Sequence, residues 1–188
     1  MNLENKTSDA PRIASPWMRL AAAFFDWIIL FPIGILVVLL SSRSWKFAVV
    51  LFPLYQLLYV AYQAFFHSRY GATLGKMAFK MKVVNEDYSK IDFFTALKRI
   101  SVEGVLQGAL AILCLNLFLS MKNNYNITNV VDFAKLFQIG PYQSVNVLET
   151  FWYYLSFMTC LFTPRRKALH DFIAGTVVIL KGPEPKGA

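Results

Sequence analysis

The 188-residue chain has only two cysteines, Cys114 and Cys160, two histidines, His67 and His170, and 11 acidic residues against 19 lysines and arginines. Each shortage closes off a class of function. Both cysteines fall inside apolar runs and show no CxxC spacing, which argues against a disulfide framework and against a redox or metal pair. The histidines are far apart and have no cysteine or second histidine at ligand spacing, so no zinc site is expected. No serine, cysteine or histidine is placed as a nucleophile beside a base, and the chain reads as a non-enzyme with no cofactor. What it has in place of these is apolar length.

From Ala21 to Leu40 the 20 consecutive residues carry one charge, Asp26. As a helix that run is about 30 Å long, the thickness of a bilayer's hydrocarbon core. Hydrophobic residues make up 56% of the chain and the mean hydropathy is +0.45. Four runs are read as spans, at about 17–41, 47–66, 104–120 and 146–162. The expected fold is therefore an all-α integral membrane protein with four transmembrane helices, its membrane domain covering residues 15–181 between tails at 1–14 and 182–188. The first run lacks a small-residue cleavage pattern and is read as an uncleaved anchor.

With four spans, 15 of the 19 basic residues fall on one side and four on the other. The positive-inside bias then predicts a multi-pass protein of a bacterial-type plasma membrane with both termini and the 67–103 segment in the cytoplasm. Because the basic residues flank the spans and form no single soluble patch, the expected partner beyond the bilayer is anionic lipid, not nucleic acid. Lys76, Lys98, Arg99, Arg165 and Arg166 are the candidate headgroup contacts.

Within 67–103, Phe93, Phe94, Leu97 and Ile100 recur at helical spacing opposite Lys98 and Arg99, which predicts an interfacial amphipathic helix capped by Asp92. Thr176 to Leu180 is β-branched and bounded by Gly175 and Gly182, so it reads as a strand. Lys82-Val83-Val84 is its natural mate in a small two-stranded cytoplasmic sheet. Gly71 to Lys76 fails as a phosphate loop, having one residue too few between its glycines and Met77 where a hydroxyl belongs. The outer 121–145 connection is asparagine-rich, and Asn126-Ile127-Thr128, like Asn5-Lys6-Thr7, matches a glycosylation sequon.

The polar residues inside the spans are the informative ones. A carboxylate in hydrocarbon costs roughly 2.5 kcal/mol or more, so Asp26 should face protein or water. Arg19, close to two helical turns earlier, is its nearest candidate partner. Gln56, Tyr59 and Gln63 form a polar stripe on the second helix, and Glu149, Tyr153, Ser156 and Cys160 a matching one on the fourth. Such stripes serve either as an interior path or as hydrogen-bonded glue between helices. Gly104 and Gly108 form a small-xxx-small pattern suited to close packing, within the chain or in a homo-oligomer. Glu103 is read as a weak surface pair with Arg99.

Arg19 and Asp26 in the first helix, with Arg166-Lys167-Ala168-Leu169-His170-Asp171 ahead of Gly175-Thr176-Val177-Val178, resemble the RDD family of small membrane proteins. That family is named for an arginine and an aspartate in the first helix and a second aspartate further on. Gly71-Ala72-Thr73-Leu74-Gly75-Lys76 is similar to the family's Gly-x-Thr-x-Gly-Lys element, and Ala96-Leu97-Lys98-Arg99 to its Ala-x-x-Arg stretch. Ala72 and Leu74 depart from its more usual glutamine and proline. The resemblance covers about residues 15–181 and implies transport, some members being described as cation/proton antiporters. It implies Asp26 as titrating group, Arg19 as its tuner and Asp171 as a gate. Two functions are therefore carried forward: a small carrier of cations coupled to protons, and a non-transporting membrane partner or assembly subunit.

Overall fold

The structure is a computed structural model that describes residues 11–121, 130–138 and 140–181. Both sequons, the outermost parts of the two tails and part of the 121–145 connection lie outside the described residues.

Helix α1 (Pro16–Ser41) starts where the Ser15 hydroxyl accepts the Met18 N–H at 3.2 Å, with Pro16 in the first turn, where its missing N–H costs nothing. Helix α2 (Trp45–Tyr70) is capped by Ser44 and stopped by Gly71 at φ 70°, the left-handed conformation that glycine adopts without strain. Helix α4 (Phe93–Ser120) is the third helix long and apolar enough to cross a membrane. A 23-residue helix, α6 (Gly140–Phe162), starts six residues ahead of the fourth expected run and is about 34 Å long. Phe24, Trp27, Phe31 and Leu36 of α1 and Phe151 and Tyr154 of α6 are exposed, giving the bundle an apolar, aromatic outer surface.

The expected interfacial helix is not a separate element. Its residues form the first turns of the 28-residue α4, nucleated by the Asp92 carboxylate accepting the Thr95 N–H at 2.7 Å. No glycine or proline interrupts Phe93 to Glu103, so nothing ends the helix there. The dip in hydropathy that suggested a boundary comes from Arg99, Glu103 and Gln107. These recur every four residues, and all three are buried, at 3%, 6% and 7% exposure. A polar stripe facing protein looks, in the averaged sequence, like a break between elements.

Strands β1 (Met81–Asn85) and β2 (Thr176–Leu180) pair antiparallel with Val83 opposite Val178, as the sequence predicted. The second edge of β2 is also occupied: the Ala14 N–H donates to the Val178 carbonyl at 2.9 Å, and the Leu180 N–H to the Arg12 carbonyl at 2.8 Å. β2 is thus covered on both edges by segments distant in sequence. Two cores follow. One, at the sheet end, packs Ala14, Ala22, Met81, Val83, Ile91, Ala96 and Val178. The other, at the opposite end, is aromatic, with Phe118 and Phe133 stacked beside Phe52 and Phe137 where α5 (Val130–Lys135) folds back. Two short helices, α3 (Leu74–Ala78) and α7 (Leu169–Ala174), join the sheet to the bundle.

Candidate functional site

Asp26 is buried at the contact between α1 and α3. Its carboxylate accepts the Thr73 hydroxyl at 2.6 Å, the Tyr62 hydroxyl at 2.6 Å and the Gly75 N–H at 2.7 Å. Tyr62 in turn accepts the Leu74 N–H at 3.0 Å. The α3 amides, orphaned by the start of the helix, therefore find their acceptors on α1 and α2. Gly75 makes this approach possible, since a Cβ there would lie 2.1 Å from the Ala22 carbonyl oxygen. The Gly-x-Thr-x-Gly-Lys element is thereby accounted for residue by residue: Gly71 ends α2, Thr73 and Gly75 bind Asp26, and Lys76 turns inward to place Nζ 2.9 Å from Nε2 of His67.

The expected pairing of Arg19 with Asp26 is not what forms. Arg19 Nη1 donates to Asp171 Oδ2 at 2.5 Å, and Arg99 Nη1 bonds the other oxygen of the same carboxylate. Asp171 is fully buried and also accepts the Ala168 N–H at 3.0 Å and the Thr176 hydroxyl at 3.2 Å. Burial alone would raise its pKa; the guanidiniums of Arg99 and Arg19 outweigh that and hold it well below the ordinary carboxylate range. Burial, with Arg99 next, pushes His170 down to about 3, so its ring is neutral. Arg99, expected at the headgroups, is instead the second cation of this cluster. Helices α1, α4 and α7 meet on one carboxylate.

A second polar system runs among α2, α4 and α6. Gln63 Nε2 donates to Glu103 at 2.8 Å, Gln107 Nε2 to Glu149 at 2.5 Å, Tyr153 to Glu149 at 3.4 Å, and Gln56 Nε2 to the Tyr142 hydroxyl at 3.4 Å. Of the two expected stripes, Gln56, Gln63 and Glu149 bond within this interior, Ser156 and Cys160 are buried nearer the sheet, and Tyr153 is partly exposed at the edge of the bundle. Glu103 belongs to it too, and the surface pairing with Arg99 read from spacing is replaced by the bond to Gln63. The four-residue step of Arg99, Glu103 and Gln107 was visible in the sequence; what it did not show is that the row faces protein and not water. His67 was also missed: it is completely buried, with Nδ1 2.8 Å from the Gln63 carbonyl, which makes Nδ1 the donor and leaves Nε2 to accept from Lys76.

Between the two systems lies a cavity of about 200 Å³ whose walls include Arg19, Asp26, Arg99, Glu103 and Ser156, with Tyr59 and Tyr153 beside them. Lys76 also lines it, and burial together with the Arg99 guanidinium lowers that amine to about 7. Lys98, Arg165 and Arg166 are exposed, as headgroup contacts must be. Among the described residues no group of histidine, cysteine and carboxylate side chains is assembled to hold a metal ion.

Long apolar helices gathered over a basic, sheet-bearing layer, and joined to it by one arginine pair and two buried aspartates, define a class of small polytopic membrane protein. The RDD family model matches residues 13–175, and the chain belongs to the RDD family. No curated protein and no solved structure matches it.

Proposed function

We propose that the protein is a small carrier of cations coupled to protons, with α6 as a fourth span and both termini cytoplasmic. The observation that carries this reading is the pair of buried carboxylates, Glu103 and Glu149, bonded to the neutral amides of Gln63 and Gln107 inside the bundle. An amide stabilises an acid in either protonation state far less selectively than a guanidinium does, so such a carboxylate can exchange a proton for a cation. Asp26, with three donors on its two oxygens, fastens α3 to α1. The coupling role passes to the glutamates, with Tyr59 and Tyr153 lining the cavity beside Glu103. Four helices enclose little space, so a homo-oligomer completes the pathway.

The test is sodium, potassium and lithium flux driven by a proton gradient in proteoliposomes. At matched incorporation, Glu103→Gln and Glu149→Gln should abolish flux while the unfolding temperature holds. Absence of flux above empty vesicles in the wild type overturns the proposal. A second reading, a membrane partner subunit, is favoured by the saturation of Asp26 and Asp171, which act as fastenings. Under it Asp26→Asn lowers protein level, and co-purification identifies what the basic face binds.

A further inference from the structure

Independently of transport, we propose that the cavity at the sheet end is a binding site for a phosphate group, entered sideways between α1 and α6. Each arginine of the cluster spends only Nη1 on Asp171. Nε and Nη2 of Arg19, Nη2 of Arg99 and the Ser156 hydroxyl are buried with no partner among the described residues, and all three side chains line the cavity. The exposures of these side chains are 10%, 3% and 5%. Buried donors on charged groups are costly to leave unbonded, so the cavity calls for an acceptor-rich guest. A phosphate presents acceptors in the planar pattern that guanidinium edges fit.

The carboxylates on the same walls do not oppose this guest equally. Both Asp26 oxygens are taken by Thr73, Tyr62 and Gly75, and Glu103 accepts from Gln63. Arg19, Arg99 and Lys76 stand against Asp171, Asp26 and Glu103, so what draws a phosphate is the set of unbonded donors and not an excess of positive charge. The route in is lateral. The cavity rim carries Leu20 and Ala23 of α1 and Tyr153 of α6, all exposed on the outer surface of the helices. Trp17 and Phe157, whose rings meet at 5.7 Å, join α1 to α6 beside this rim. A phosphate carried on an acyl-chain lipid would place its headgroup on the arginines and its chains along Leu20 and Ala23. A free phosphate offers the same chemistry, and the experiment separates the two.

The full chain is placed in phosphatidylcholine nanodiscs and its unfolding temperature is followed as phosphatidylglycerol is added to the bilayer or inorganic phosphate to the buffer. A lipid guest predicts stabilisation by phosphatidylglycerol that Ala23→Phe, a plug set at an exposed position, removes without touching the ion pairs. Ser156→Ala should weaken binding by about tenfold. Stabilisation by inorganic phosphate that survives Ala23→Phe and weakens with Ser156→Ala assigns the same site to a free anion. No response to either, or a lipid response kept by both variants and lost in Arg165→Gln/Arg166→Gln, overturns the proposal.

Discussion

Successive turns of α4 treat buried charge in opposite ways. At its first turns Arg99 meets Asp171 with Arg19 beside it, full charge against full charge, and the three lock α1, α4 and α7 together. One and two turns further on, Glu103 and Gln107 meet Gln63 and Glu149, a carboxylate against an amide each time. Removing one member of a buried ion cluster strands the others. Removing the charge from an amide-bonded glutamate leaves the hydrogen bond in place. The first region is therefore a closed ion cluster, whereas the second holds its carboxylates by neutral donors.

Asp171→Asn is the most direct way to break this comparison. It leaves two buried guanidiniums facing a neutral amide and should cost about 3–5 kcal/mol, seen as loss of monodisperse protein and a collapsed unfolding temperature. Glu149→Gln should move stability by under about 1 kcal/mol in the same assay; an equal collapse would show that the two regions are alike. Gly75→Ala comes next. Its methyl meets the Ala22 backbone, not a movable side chain, so α3 must lift from α1 at about 1–3 kcal/mol. Combined with Asp26→Asn it should be strongly non-additive, since both break one contact.

A further test is pH dependence. Lys76 binds its proton with a pKa of about 7 in the folded protein against the ordinary 10.5. Between those values the unfolded chain holds the extra proton, so stability rises as pH increases from about 7 to about 10. Lys76→Met should flatten that rise in a thermal melt. Asp171 has the same sign in a lower window: its pKa too is depressed in the folded protein, so its support is full above the ordinary aspartate range and is lost progressively as pH falls below it.

Much of the fold could be read from residue pattern alone. The β-branched runs at 82–84 and 176–180 had few other places to go, and they pair with Val83 opposite Val178. The first two helices announced themselves by length and near-absence of charge. What failed was the choice of partner. Helical periodicity puts Arg19 and Asp26 on one line, yet it cannot weigh that neighbour against a carboxylate arriving from 152 residues away. Averaged hydropathy cut α4 in two because it cannot tell polar residues facing protein from polar residues facing water. The Gly71–Lys76 element was visible as a motif, but its receptor, Asp26 with Tyr62, is defined only by three dimensions.

The placement of β2 has a consequence for biogenesis. Strand β2 and Asp171 follow everything they bind, whether residues 12–14, Arg19, β1 or Arg99. During synthesis from the N-terminus the helices can enter the bilayer early, but two arginines then wait for their common counterion until the final segment emerges. A chain halted before residue 171 carries that unmet charge at its membrane boundary.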